Sequence, residues 1–162
     1  MAALRRQSSA PPRVIKGAVT TMIRILLAGT ILAATFFLSP SAHADVLARI
    51  DLSEQRMDVY VNGFKRYSWP VSTARRGYRT PVGSYRPTRM HEMWYSRKYH
   101  MSPMPHSIFF KGGYAVHGTN EVKYLGSPAS HGCVRLHPDN ARRLYQLVKS
   151  QGSDATRITI TQ

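Results

Sequence analysis

Cysteine occurs once in the 162 residues, at position 133. A single thiol excludes an internal disulfide framework, a disulfide-stapled miniprotein and a cysteine-rich zinc site. Acidic residues are scarce as well: 8 Asp and Glu face 23 Lys and Arg, for a formal charge of +15. No apolar run reaches the roughly 20 residues that a membrane-spanning helix requires; Ile25 to Leu38 is uncharged and mostly apolar but falls short. No internal repeat is visible. What is present is an apolar fraction of 43%, which supports a real core in a chain of one-domain length and excludes a disordered or low-complexity polymer.

Arg5, Arg6, Arg13, Lys16 and Arg24 precede the apolar stretch, and Ala42-His43-Ala44 follows it. Basic, apolar, then small-x-small is the order of a cleavable export signal. Residues 1–44 are therefore read as a basic leader with a signal peptide, and residues 45–162 as the exported domain. Met22-Ile23-Arg24 would by itself open a compact signal, Arg5-Arg6 is a weak twin-arginine pair, and a retained amphipathic anchor is the competing reading. The leader takes five of the 23 basic residues and none of the 8 acidic ones. In a cytosolic protein the remaining positive charge would suggest nucleic acid. In a periplasmic or cell-envelope protein it suits anionic envelope polymers or carboxylate-bearing substrates, although most of these cations are scattered as a solvated surface would have them. The expectations are no nucleic acid, no stable membrane anchor after cleavage, and a monomer.

Within 45–162 the signals are those of short strands. Met57, Val59 and Val61 alternate with polar residues, Asn62-Gly63 follows, and Phe64 to Val71 resumes, the strongest short hairpin signal. Leu47 to Leu52, Val82 to Arg86 and Thr156 to Ile160 read as further strands. Ser107 to Phe110 and Tyr114 to His117 flank Lys111-Gly112-Gly113 as a second hairpin. Ala141, Leu144, Tyr145 and Val148 recur at helical spacing after Pro138-Asp139 and before Gly152. The fold class is mainly β: a small β-sandwich-like mixed sheet with one late helix. Residues 88–106, rich in Met and aromatics, show no sustained period and read as an irregular binding loop or core cover. Trp94, Tyr95 and Tyr99 are placed there either along a cleft or in the core.

The chemistry concentrates between His117 and Arg135. A lone thiol in an oxidising compartment is exposed to oxidation and mispairing. An inert cysteine would sit among apolar neighbours, whereas Ser130, His131 and Gly132 precede Cys133 and Arg135 follows it. Cys133 is thus a candidate nucleophile, which needs a base to populate thiolate. His131 and His117 compete for that role; His117 is favoured, because it ends a predicted strand that sheet pairing can lay beside Cys133, with His131 supporting the site. Amides around Cys133 and Gly132 could form an oxyanion hole. With no acid near either histidine in sequence, the Gly118 carbonyl is the closest candidate to orient His117. Arg135 suits a carboxylate through its planar fork or holds a structural charge.

His117-Gly118-Thr119, a gap, and Ser130-His131-Gly132-Cys133-Val134-Arg135 resemble the signature of the L,D-transpeptidase catalytic-domain family of bacterial cell-wall enzymes. Ile50 to Arg56, Pro70 to Thr73, Thr80 to Gly83 and Asp139 to Ala141 resemble its opening strand, middle strands and helix start, so the resemblance spans nearly all of the exported part. It implies a β-sandwich-like mixed sheet and a two-step acyl transfer on peptidoglycan stem peptides without a cofactor. Cys133 would release a terminal D-alanine and form a thioester, and an amine on another stem, or on an envelope protein, would resolve it. Carried over, Cys133 is nucleophile and His117 proton donor and acceptor, with Gly118, His131 and Gly132 as orienting or oxyanion support. Ser130, Arg135, Ser107 and His106 fall on the substrate side, although the family often carries an aromatic residue where His106 stands.

Three rivals follow from the same residues. Water could resolve the thioester, giving an L,D-carboxypeptidase or a hydrolase. A non-catalytic envelope-binding module would need no thiol. A metal site built from His91, His100, His106, His117, His131 and Cys133 lacks any tight ligand spacing, so no metal is expected.

Overall fold

The computed structural model describes residues 45–162; the expected leader and its cleavage site lie outside the described residues. Strand β1 (Val46–Asp51) pairs antiparallel with β2 (Arg56–Val61), which turns through Asn62-Gly63 into β3 (Phe64–Pro70). Both turn residues have positive φ, 51° and 81°, the conformation for which Asn and Gly are suited. Strand β4 (Gly83–Tyr85) lies at the other edge of this sheet, antiparallel to the C-terminal strand, which itself runs parallel to β1. The second sheet holds, in spatial order, β5 (Arg89–Ser96), β6 (Ser102–Lys111), β7 (Tyr114–Gly118) and β8 (Val134–Leu136). Its pairs are antiparallel except β7 with β8, which is parallel.

After β8 comes the only α-helix among the described residues, α1 (Pro138–Gln151), and then β9 (Thr156–Thr161) as the C-terminal strand. His137 caps α1, its side chain accepting from the Asp139 N–H at 3.3 Å, Pro138 opens the first turn, and Gly152 with φ 94° ends it. Ala141, Leu144, Tyr145 and Val148 are its buried residues, one stripe at the helical period. The stripe packs on β6, β7 and β1. Ile50, Met57 and Val59 of the first sheet, Ile108 and Val116 of the second, and Leu144 of α1 share one apolar core. The strand-rich fold with a single late helix is therefore as expected.

Residues 88–106 are not the irregular loop expected of them. They form β5, a 3-10 turn at Arg97–Tyr99 and the first half of β6. Two features hide this hairpin. Its tip turns through His100 and Met101, both left-handed at φ 51° and 56°, where glycine or asparagine would have signalled a turn. Midway along, Glu92 and His106 are missing from the ladder that otherwise pairs Arg89 with Phe109 through to Ser96 with Ser102, and His106 has φ 53°. Side chains five apart in a regular strand face opposite ways. Yet Arg89 and Trp94, and likewise Met104 and Phe109, all line one cavity, so the irregularity at Glu92 and His106 reverses the alternation and erases the period-two signal.

Candidate active site

The parallel pairing of β7 with β8 sets Val116 opposite Val134 and His117 opposite Arg135. Cys133, one residue before β8, is thereby laid alongside Ala115. Its Sγ lies 3.9 Å from the Gly113 carbonyl oxygen. Cys133 and His117 both line a cavity of about 670 Å³ roofed by the β5–β6 hairpin, whose Trp94, Lys98 and Tyr99 also face it. Cys133 packs with Met104, Phe109, Ala115 and Trp94 in an apolar cluster distinct from the main core.

The turn carrying Cys133 is fastened by buried polar groups. The Ser130 N–H donates to the Thr73 carbonyl at 2.8 Å. The Ser130 hydroxyl accepts from the Gly132 N–H at 2.9 Å and donates to the Cys133 carbonyl at 2.6 Å. Thr80 Oγ1 donates to the Gly132 carbonyl at 2.9 Å. Thr73 is itself gripped by Gln55, which accepts from its N–H at 2.9 Å and donates to its hydroxyl at 2.6 Å. Gly132 has φ 126°, and a Cβ there would meet Tyr114 Cε1 at 2.6 Å and the Arg79 carbonyl at 2.8 Å. Only glycine suits such a backbone against such neighbours.

His117 is 6% exposed, and its Nδ1 lies 2.7 Å from the Gly118 carbonyl oxygen. A carbonyl can only accept, so Nδ1 carries the proton and the unprotonated lone pair of the neutral ring resides on Nε2. Burial drives the imidazole pKa down to about 4, the Gly118 hydrogen bond opposing and the Arg135 charge adding to the fall. Burial also pushes the Cys133 thiol up, against an Ala115 backbone hydrogen bond and the pull of Arg135. With the imidazole lowered and the thiol raised, both groups are neutral near pH 7 where they line the cavity.

The other predicted residues divide. His131 lines the cavity, accepting through Nε2 from Arg75 Nη2 at 2.8 Å and stacked on Tyr99 at 4.4 Å between ring centroids; partial burial first, then Arg75, lower its pKa. It clasps the hairpin tip to the cysteine turn. Arg135 faces the cavity, but its guanidinium is held by Glu121 at 2.6 Å. Gly132 cannot offer its amide as an oxyanion donor, because Ser130 takes it; the Cys133 N–H has no backbone or side-chain partner among the described residues. Ser107 and His106 do not border the cavity. Ser107 is fully buried, donating to the Met104 carbonyl at 2.8 Å. The His106 ring lies 5.6 Å from Tyr145 of α1, with its buried Nδ1 unpartnered. Both follow from the reversed alternation in β6. Tyr95 points to solvent. Thr80, Gln55 and Arg75 were not legible as site residues, since an isolated polar side chain carries no period or spacing. No three metal-ligating side chains converge among the described residues.

No curated protein matches the chain. Among solved structures it resembles an L,D-transpeptidase from Mycobacterium smegmatis, with 25% identity and a TM-score of 0.64 over 74% of this chain and 59% of that one. An L,D-transpeptidase from Stackebrandtia nassauensis matches at 24% identity and a TM-score of 0.64, over 84% and 64%. L,D-transpeptidase 3 from Mycobacterium tuberculosis, in complex with a faropenem-derived adduct, matches at 19% and 0.61, over 73% and 60%. The chain thus spans about three fifths of the length of the M. smegmatis protein. The YkuD family, described as the L,D-transpeptidase catalytic domain, matches residues 45–160, nearly the whole of the two-sheet fold and every residue of the cysteine turn, and the chain belongs to that family.

Proposed function

We propose that the cavity carries out acyl transfer on peptidoglycan stem peptides in the cell envelope, with Cys133 as nucleophile and His117 as general base and acid. The observation that carries this reading is the His117–Gly118 hydrogen bond: it reserves Nε2 for proton transfer at a cavity wall shared with Cys133. As Sγ attacks the carbonyl of the third stem residue, the thiol proton passes to Nε2 and the S–C bond forms. The Cys133 N–H stabilises the developing oxyanion. Collapse breaks the C–N bond to the terminal D-alanine, whose nitrogen takes the proton from His117, leaving a thioester. An acceptor amine then gives its proton to His117, forms the new amide and expels the sulfur, which recovers the proton.

Because thiol and imidazole both rest neutral, acylation requires the thiol proton to move from sulfur to Nε2 within the step. The buried site makes the charges that develop in the transition state more costly to leave unpaired, and hence more sensitive to His117 and to the amide donor. Export of the domain after removal of 1–44 belongs to the same reading.

Incubating the purified protein with a disaccharide-tetrapeptide tests it. The expected results are a Cys133-linked tripeptide acyl-enzyme by mass spectrometry, D-alanine release, and a cross-linked dimer when an acceptor is supplied. Free tripeptide without any dimer would make water the acceptor. A faropenem-type β-lactam should add one adduct to the wild type and none to Cys133→Ala; absence of both adduct and acyl-enzyme overturns the assignment.

A further inference from the structure

Arg89 has no role in the chemistry above, yet it faces the cavity. Its guanidinium carbon lies 3.8 Å over the Phe109 ring and 5.6 Å from the Trp94 ring centroid. A guanidinium stacked on an aromatic face keeps its N–H donors in the plane, directed outward from the stack, while the ring fixes its orientation. None of those donors has an ion pair or side-chain hydrogen bond among the described residues. The rest of the wall deepens the imbalance. Arg97 and Lys98 also border the cavity without a carboxylate partner, and the one acid there, Glu121, is taken by Arg135. An oriented, unspent guanidinium in a cationic pocket is built to receive a planar anion.

Its place relative to the thiol follows from register. Arg89 is paired with Phe109, and Phe109 with Ala115; Cys133 packs on Phe109 and Ala115 in the same small apolar cluster. Arg89 and Cys133 therefore stand at two ends of one row across the sheet. Neighbouring strands are about 4.8 Å apart, so three spacings separate the Arg89 and Cys133 backbones. The Arg89 guanidinium already lies over Phe109, one spacing along the row, which leaves roughly 10 Å to Cys133, a span that an extended peptide covers in about three residues.

We propose that Arg89 is the carboxylate receptor of this cavity, binding a free carboxylate on the acyl part of the donor peptide, the part retained in the thioester, within about three residues of the scissile carbonyl. The donor peptide crosses the Phe109–Trp94 wall, with its reacting carbonyl at Cys133 and its anion on the Arg89 fork. This rests on the acyl-transfer reading for the identity of the ligand, but the binding it requires does not depend on the chemistry.

The test uses Cys133→Ala protein, which cannot acylate, and measures binding of three donor tetrapeptides: one with all carboxylates free, and two in which the carboxylate of the second residue, or that on the side chain of the third, is a carboxamide. One carboxamide should bind roughly 10- to 100-fold more weakly, the range of a lost charge-assisted hydrogen bond. Adding Arg89→Gln should weaken the all-carboxylate peptide by a similar factor, leave that carboxamide peptide within about threefold, and so abolish the discrimination. Arg89→Lys should restore only part of it. Equal weakening of all three peptides by Arg89→Gln, or no discrimination in the parent, overturns the proposal. In cysteine-intact protein, Arg89→Gln should raise KM for the carboxylate donor far more than it lowers kcat. Failure of the wild type to acylate, with discrimination intact in the binding assay, would overturn the chemistry and leave the receptor standing.

Discussion

The Gly118 carbonyl oxygen, 2.7 Å from His117 Nδ1, fixes the proton of a buried imidazole on Nδ1 and leaves Nε2, the nitrogen proposed to move the proton, without one. His117, the penultimate residue of β7, is thus followed directly by the residue that sets its tautomer, and no carboxylate takes part. The expected consequence is that His117→Asn, which can still donate to that carbonyl, retains the fold but loses the base. Acylation by a donor peptide should fall by about 10²- to 10⁴-fold, the usual contribution of general acid–base catalysis. Stopped-flow or quenched mass measurements of acyl-enzyme against an unchanged unfolding midpoint check it. Acylation within tenfold of wild type would assign the base elsewhere.

A neutral buried histidine also has a signature in stability. In the unfolded chain His117 takes its proton near its ordinary value of 6.5, and in the native protein only near 4. Between those values the unfolded state binds a proton that the native state refuses, so stability falls as pH drops from 6.5 toward 4 and levels off below. The full loss is on the order of 3 kcal/mol. His131, also held low, contributes with the same sign; the lowered carboxyls of Asp51 and Asp58 act in a lower window, below the ordinary carboxyl range. Urea unfolding of wild type and His117→Asn at pH 7 and pH 4.5 isolates the share of His117. The drop should be clearly smaller in the variant, and parallel behaviour of the two proteins would mean that the imidazole is not buried neutral.

How far the sequence discloses this site depends on whether the signal is local. Asn62-Gly63 is legible because two adjacent residues carry the whole turn requirement, and α1 because four buried residues repeat at one period. Cys133 and His117 are legible because a lone thiol among polar neighbours, and a histidine ending an apolar strand, each stand out within a few positions. The His131 clasp is not, since it joins Arg75, Tyr99 and His131 from three separate segments. The β5–β6 hairpin is hidden by its glycine-free tip and by the reversal at Glu92 and His106, which also sends Ser107 into the interior. The Gln55–Thr73–Ser130 chain consists of buried polar residues whose meaning lies entirely in partners far along the chain.

Ser130 joins that chain to the thiol, because its hydroxyl both accepts from Gly132 and donates to Cys133. Ser130→Ala leaves the buried Gly132 amide unpaired, at a cost of about 1–3 kcal/mol, and frees the turn that sets the Cys133 Sγ. Acylation should slow by about 10- to 100-fold, since small misplacement of a nucleophile is costly. Ser72→Ala is the control: its hydroxyl donates to the Ser127 carbonyl at 2.7 Å and accepts from the Ala129 N–H at 3.1 Å, fastening the same connection without touching the thiol turn. It should destabilise comparably yet leave acylation within about threefold. Equal kinetic effects of the two substitutions would reduce Ser130 to general support.

Gly132 places a harder constraint on the same turn. Its φ of 126° lies where side chains are rarely tolerated, and an added methyl would press against Tyr114 Cε1 at 2.6 Å and the Arg79 carbonyl at 2.8 Å. The ring can yield only by leaving its packing, and the carbonyl only by moving the backbone beside Thr80, which holds Gly132 from the other side. Gly132→Ala should therefore destabilise by about 2–5 kcal/mol, strain and overpacking together. Tyr114→Ala removes one clash and not the other, so in the Gly132→Ala background it should recover part of the loss beyond its own cost in a double-mutant cycle. Thermal unfolding of the four proteins gives the coupling, and strict additivity would mean that backbone conformation alone, and not the contact with Tyr114, reserves the position for glycine.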